Sequence, residues 1–137
     1  MGYIFLRDFP NLNILSILAV FLTALLATIV SSLFSIFIGL FSFIIEDSGP
    51  FYWVYAKFIL IIGTIFPIEL FPTNIQPIIK YSPIYAISYG PAKLFVNFNF
   101  NLFISVIFSQ IIYILIGYLL CSLIYKKGVK NLNVNGG

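Results

Sequence analysis

A chain of 137 residues is the size of one small domain, yet 61% of it is hydrophobic, only 8% is charged, and the mean hydropathy is +1.10. A water-soluble domain carries about 25% charge, so seven Lys/Arg and four Asp/Glu cannot solubilise sixteen Phe, nine Tyr and one Trp. A soluble fold is excluded, the dispersed net charge of +3 excludes a nucleic-acid footprint, and the expected setting is a lipid bilayer.

No charge occurs between Asp8 and Glu46, and the stretch 14–45 contains no Pro and only Gly39. A crossing takes about 20 residues at about 1.5 Å each. The stretch is too long for one straight crossing and lacks the turn signal for two, which predicts one long tilted helix. It is also much longer than a signal-peptide core, and no small-residue cleavage site follows it. Thr28, Ser31, Ser32 and Ser35 share one helical face. They read as a packing seam, as a polar strip beside a translocation path, or as hydroxyls bonded to their own backbone.

Glu46-Asp47-Ser48-Gly49-Pro50 then interrupts the apolar pattern with two charges and a Gly-Pro turn signal. Phe51, Tyr52, Trp53 and Tyr55 follow as an interfacial aromatic belt. A second, short span is predicted over 53–66, with Lys57 one turn inside and able to reach back to the headgroups. From there Pro67, Pro72, Pro77, Pro83 and Pro91 recur too often for any piece to cross alone. Short helices over 73–81 and 84–95 would make 67–96 a re-entrant or interfacial hairpin, with Thr73 and Ser82 as helix starts.

Asn97, Asn99 and Asn101 mark the next interface, and a third span is predicted over 102–124. Gly117 and Cys121, four apart, offer a small surface for a neighbouring helix. The basic tail Lys126-Lys127-Gly128-Val129-Lys130 places that end in the cytoplasm by the positive-inside rule and should meet anionic lipid. Met1 would then lie outside, the Glu46–Pro50 loop inside and the Pro-rich hairpin outside. The expected fold class is an all-α integral membrane domain over 1–137, with three transmembrane helices and a Pro-rich hairpin before the last. An odd span number with Met1 outside suits the second half of a longer assembly.

The order of motifs is more specific than any one of them. Ile38-Gly39-Leu40-Phe41-Ser42-Phe43, Glu46-Asp47 and Tyr52-Trp53-Val54-Tyr55-Ala56-Lys57 lead into Ile62-Gly63 and Phe66-Pro67-Ile68-Glu69-Leu70-Phe71-Pro72. Tyr81-Ser82-Pro83, Tyr89-Gly90-Pro91-Ala92 and Tyr125-Lys126-Lys127-Gly128 follow. This string resembles the C-terminal half of ABC-2 type transporter permeases, in particular the bacterial six-helix drug- or viologen-exporter-like branch. The resemblance covers about 33–130. The chain departs from it at Thr64 and Ile68, where that family often has Gly and Leu, and at Ile84, where it tends to have Phe.

The resemblance implies helices four, five and six of a permease in the bacterial cytoplasmic membrane, working as a dimer of permease halves. A separate ABC ATPase subunit would bind and hydrolyse ATP, since the chain has no Gly-x-x-x-x-Gly-Lys-Ser/Thr phosphate loop. The other expected partners are a second or paired permease copy, an N-terminal half and membrane lipid. No cofactor is expected on this chain. Pro67, Glu69, Pro72, Pro83, Gly90 and Pro91 become the candidate outer gate or vestibule. Glu69, an acid at the end of a span, could face Lys80 or Lys93, or simply reach headgroups and water. Glu46 and Asp47 are candidate ATPase contacts or an ordinary loop. Lys126, Lys127 and Lys130 set orientation and meet lipid, with an ATPase contact as the lesser option.

Enzyme chemistry is not expected. The chain has no His and one Cys, Cys121, which removes an intrachain disulfide and a His/Cys metal site. No nucleophile–base pair clusters in it. A non-transporting membrane scaffold is the alternative.

Overall fold

The computed structural model describes residues 13–45 and 47–135, the last five by backbone alone. Every element among them is helical. Helix α1, Ile14–Leu40, tightens into a 3-10 turn at Phe41–Phe43. Helix α2, Gly49–Phe58, widens into a π-helical segment, Ile59–Ile65. A 3-10 turn at Ile68–Leu70, the short α3, Gln76–Lys80, a π-helical segment at Tyr85–Tyr89 and α4, Gly90–Val96, lead to α5, Phe100–Asn135.

Helices α1 and α5 run parallel, because their contacts advance together along both chains. The Gln110 side chain reaches the Thr23 carbonyl, Gly117 and Cys121 meet Leu33, and Tyr125 and Gly128 meet Phe43. On α1 the packed stripe is Ser16, Ala19, Thr23, Ala27 and Val30, spaced three and four apart. These are mostly small side chains, which let a second helix come close. On α5, Gly117 and Gly128 do the same. A Cβ at Gly117 would stand 3.1 Å from the Leu33 Cβ, and one at Gly128 would stand 2.7 Å from the Phe43 ring. The Gly117/Cys121 surface thus admits α1. The Thr28-to-Ser35 face, in contrast, is not the α1–α5 seam. Thr28 is exposed and donates to the Ala24 carbonyl, while Thr28, Ser31 and Ser32 line an open groove of about 330 Å³ with Ile87 and Pro91.

Several expected boundaries move. The Gly49-Pro50 pair opens α2 instead of forming a turn, with Pro50 in the first turn where a missing N–H costs nothing. Helix α2 therefore begins four residues before 53. Thr73 starts no helix; α3 begins at Gln76, with Pro77 in its first turn. The basic stretch at 126–130 is no tail but continuous α5, and within it Gly128 packs closely on Phe43. Ser82 does cap the helical stretch beginning at Pro83: its Oγ lies 3.4 Å from the Tyr85 N–H that donates to it.

Two helical stretches, Ile14–Phe43 and Phe100–Lys130, are long and apolar enough to cross a membrane. Only 28% and 17% of their most apolar windows are buried, whereas the core helix of a soluble fold is mostly covered. The third apolar stretch, Gly49–Ile65, is shorter.

Candidate functional site

The segment between α2 and α5 doubles back beside the first half of α5. The Tyr113 hydroxyl donates to the Tyr81 carbonyl, Gln110 Nε2 donates to the Ala86 carbonyl, Gly90 faces Val106, and the Phe98 ring lies against Phe103. As the numbers rise along the segment they fall along α5, so the returning stretch 83–96 is antiparallel to it. The turn that precedes it, Tyr81-Ser82-Pro83, sits at the level of Tyr113. Ile68, Ile79, Tyr85, Leu94 and Val106 form the buried core of this unit.

Backbone chemistry explains why Gln110 belongs there. In the π-helical segment the Gly90 N–H bonds the Tyr85 carbonyl, one residue further back than in an α-helix. The Ala86 carbonyl would next pair with residue 91, but Pro91 has no N–H to give. Gln110 Nε2 supplies the donor at 2.9 Å and gives its other N–H to the Thr23 carbonyl, also at 2.9 Å. One fully buried amide thereby ties α5 to α1 and to the returning stretch. Its Oε1 has no hydrogen-bond partner among the described residues. Reading the sequence missed Gln110; the available signal was a lone amide within the uncharged 102–124 run.

A second close approach lies on the other side of the unit. Gly63, within the α2 extension, is packed so tightly that a Cβ would fall 2.0 Å from Ser88 Oγ. The two π-helical segments meet at this point, and Ser88 is held in place by donating to the Ile84 carbonyl at 2.9 Å.

Toward the α5 N-terminus stands a charged network. The Tyr89 hydroxyl donates to both Glu69 carboxylate oxygens, at 2.8 and 2.6 Å, and Lys93 Nζ lies 3.0 Å from Oε1. The Tyr89 bond, the backbone around Glu69 and the Lys93 ammonium hold the Glu69 carboxyl at about 2. Glu69 in turn raises Lys93, while burial and the carboxylate raise Tyr89. The pair is 58% and 43% exposed on its side chains, so solvent screens most of this attraction. Of the two cations the sequence offered, Glu69 meets Lys93 and not Lys80.

The six outer-site residues divide. Pro67, Glu69 and Pro72 are exposed at the rim; Pro83 is half-buried; Gly90 and Pro91 are buried against the helices. Asp47 accepts the Gly49 N–H at 2.8 Å and so helps start α2, while remaining exposed. Glu46 lies outside the described residues. Lys126, Lys127 and Lys130 are exposed on α5. No group of three or more His, Cys, Asp or Glu able to hold a metal occurs among the described residues. No family model, curated protein or solved structure matches the chain.

Proposed function

We propose that the chain is a permease subunit of an ATP-binding cassette exporter of the ABC-2 type, or the C-terminal half of one. It would sit in the bacterial cytoplasmic membrane with its α5 C-terminus inside. In this reading α1, α2 with its extension, and α5 are three spans, and 67–96 is a re-entrant outer hairpin. The observation that carries the reading is how the inner turn of the hairpin is served. Tyr113 is the midpoint of the apolar 102–124 run, so Tyr81-Ser82-Pro83 lies near mid-depth. Irregular backbone at that depth must be buried in protein or line water. Gln110 and Tyr113, two polar side chains of α5, donate to carbonyls of the turn and of the stretch that follows it.

The chain would supply the outer gate and part of the seam between permease halves. Closure of a separate pair of ATP-binding subunits on the cytoplasmic face would rock the halves and open the path outward past the hairpin. Glu69, Tyr89 and Lys93 latch the descending limb of the hairpin to its returning limb. Asp47 and the lysines of α5 lie at the end facing the ATPase. The groove lined by Thr28, Ser31 and Ser32 borders the path.

Co-expression with an adjacent ATP-binding subunit tests the reading, with and without a candidate N-terminal half. Co-purification of the ATPase in mild detergent, and substrate-stimulated ATP hydrolysis by the complex, are the expected results. Failure to capture it under either condition overturns the permease reading and leaves the non-transporting scaffold.

A further inference from the structure

We propose that the outward face of α2 binds an anionic phospholipid of the leaflet at its N-terminal end, with an acyl chain along the helix and the headgroup phosphate on Lys57. The inference rests on the membrane-spanning reading of the chain and is independent of the permease reading.

Trp53, Val54, Lys57, Phe58, Ile61 and Ile62 line an open groove of about 310 Å³. They recur at one helical repeat after another, so they form a single face, and apart from Ile62, which packs at its edge on the core around Ile68 and Tyr85, that face is turned away from the rest of the protein. Tyr55 stacks on Phe34 of α1, and Gly63 packs on Ser88, both from the opposite side of α2. Trp53 is 67% exposed, and Val54, Phe58 and Ile61 are exposed with it. The groove offers no polar surface, which suits a hydrocarbon chain and not a peptide.

Lys57 decides the headgroup. Its Nζ folds back toward the start of α2 and lies 5.4 Å from the Trp53 ring centroid. The described acids are engaged elsewhere, Asp47 on the Gly49 N–H and Glu69 with Lys93. The ammonium therefore stands at the mouth of an apolar groove with an aromatic face beneath it and no carboxylate partner among the described residues. Charge complementarity points to a phosphate. The wider setting agrees, because Gly128 packs on Phe43 shortly before α2 begins. Lys57, Lys126, Lys127 and Lys130 thus all lie toward one end of the bundle. A cationic end is drawn to the anionic leaflet of a membrane.

Trp53 is the only Trp in the chain, so it reports on the groove without a label. The full chain would be reconstituted in vesicles of phosphatidylcholine and phosphatidylglycerol, with one lipid or the other brominated, and its fluorescence quenching measured. Brominated phosphatidylglycerol should quench Trp53 with an apparent affinity about fivefold above that of brominated phosphatidylcholine. Lys57→Gln should bring the ratio to near one, Lys57→Arg should keep it, and Lys127→Gln should leave it unchanged. Circular dichroism checks that each variant keeps its helix content. Equal quenching by the two lipids in the unaltered chain would overturn the site. So would a preference that survives Lys57→Gln, which would assign it to general surface charge. Protection of Trp53 from both lipids would show that protein covers this face instead.

Discussion

Gln110 is the residue on which the packing of the returning stretch depends most. Replacing it by Leu keeps the volume but leaves the Ala86 carbonyl buried without a donor, at a cost of about 1–3 kcal/mol. Thermal unfolding in detergent should show that loss, and Gln110→Glu should be worse, because it places a carboxylate against two carbonyl oxygens. Glu69 should behave more gently. Its folded carboxyl lies at about 2, below the ordinary 4.5, so its contribution is complete above pH 4.5 and fades as pH falls through about 2. The stability difference between the unaltered protein and Glu69→Gln should thus hold from pH 7 to 4.5 and shrink below it. Exposure of the pair limits that difference to under about 1 kcal/mol.

Among the elements, the close approaches at Gly63 and Gly128 make the sharpest predictions. Gly63→Ala puts a methyl into Ser88 Oγ and should destabilise the contact between the π-helical segments; Ser88→Ala should recover part of the loss. Unfolding of the two single variants and the pair measures that coupling. Gly128→Leu should splay α1 from α5 at the Phe43 end, read as a larger spacing between spin labels placed there. Apolar run length and charge made α1 and α5 legible in the sequence, and two small residues four apart offered the approach at Gly117 and Cys121. The proline spacing likewise indicated a broken segment, and Ser82 and Pro83 gave a helix start. What the sequence hid follows from tertiary packing. The buried stripe of α1 is set by where α5 lies, so the small residues facing it outrank the hydroxyl-rich face. The π-helical segments arise from side-by-side packing at Gly63 and Ser88, and no local motif announced them. Gln110 acquires its role only because Pro91, nineteen positions earlier, withholds an N–H.

For the whole molecule, the proposed three-span topology makes a labelling prediction. A cysteine at Asn74 should react with an impermeant maleimide from the outer side of the membrane, and one at Lys127 only from the inner side, each in a Cys121→Ala background. Labelling of both from the same side would discard the arrangement. The parallel alignment of α1 and α5 also has a consequence in time. Thr23 waits for Gln110, 87 positions later in the chain, and Leu33 waits for Cys121, 88 positions later. At roughly 5–20 residues per second of synthesis, the seam of α1 stands without its neighbour for several seconds or longer. Its polar side chains are equipped for that interval. Ser16 Oγ donates to the Asn13 carbonyl and Thr23 Oγ1 to the Val20 carbonyl, both locally within α1 and its N-terminal cap. Helix α1 can therefore be made early and remain chemically quiet until α5, made later, packs along it.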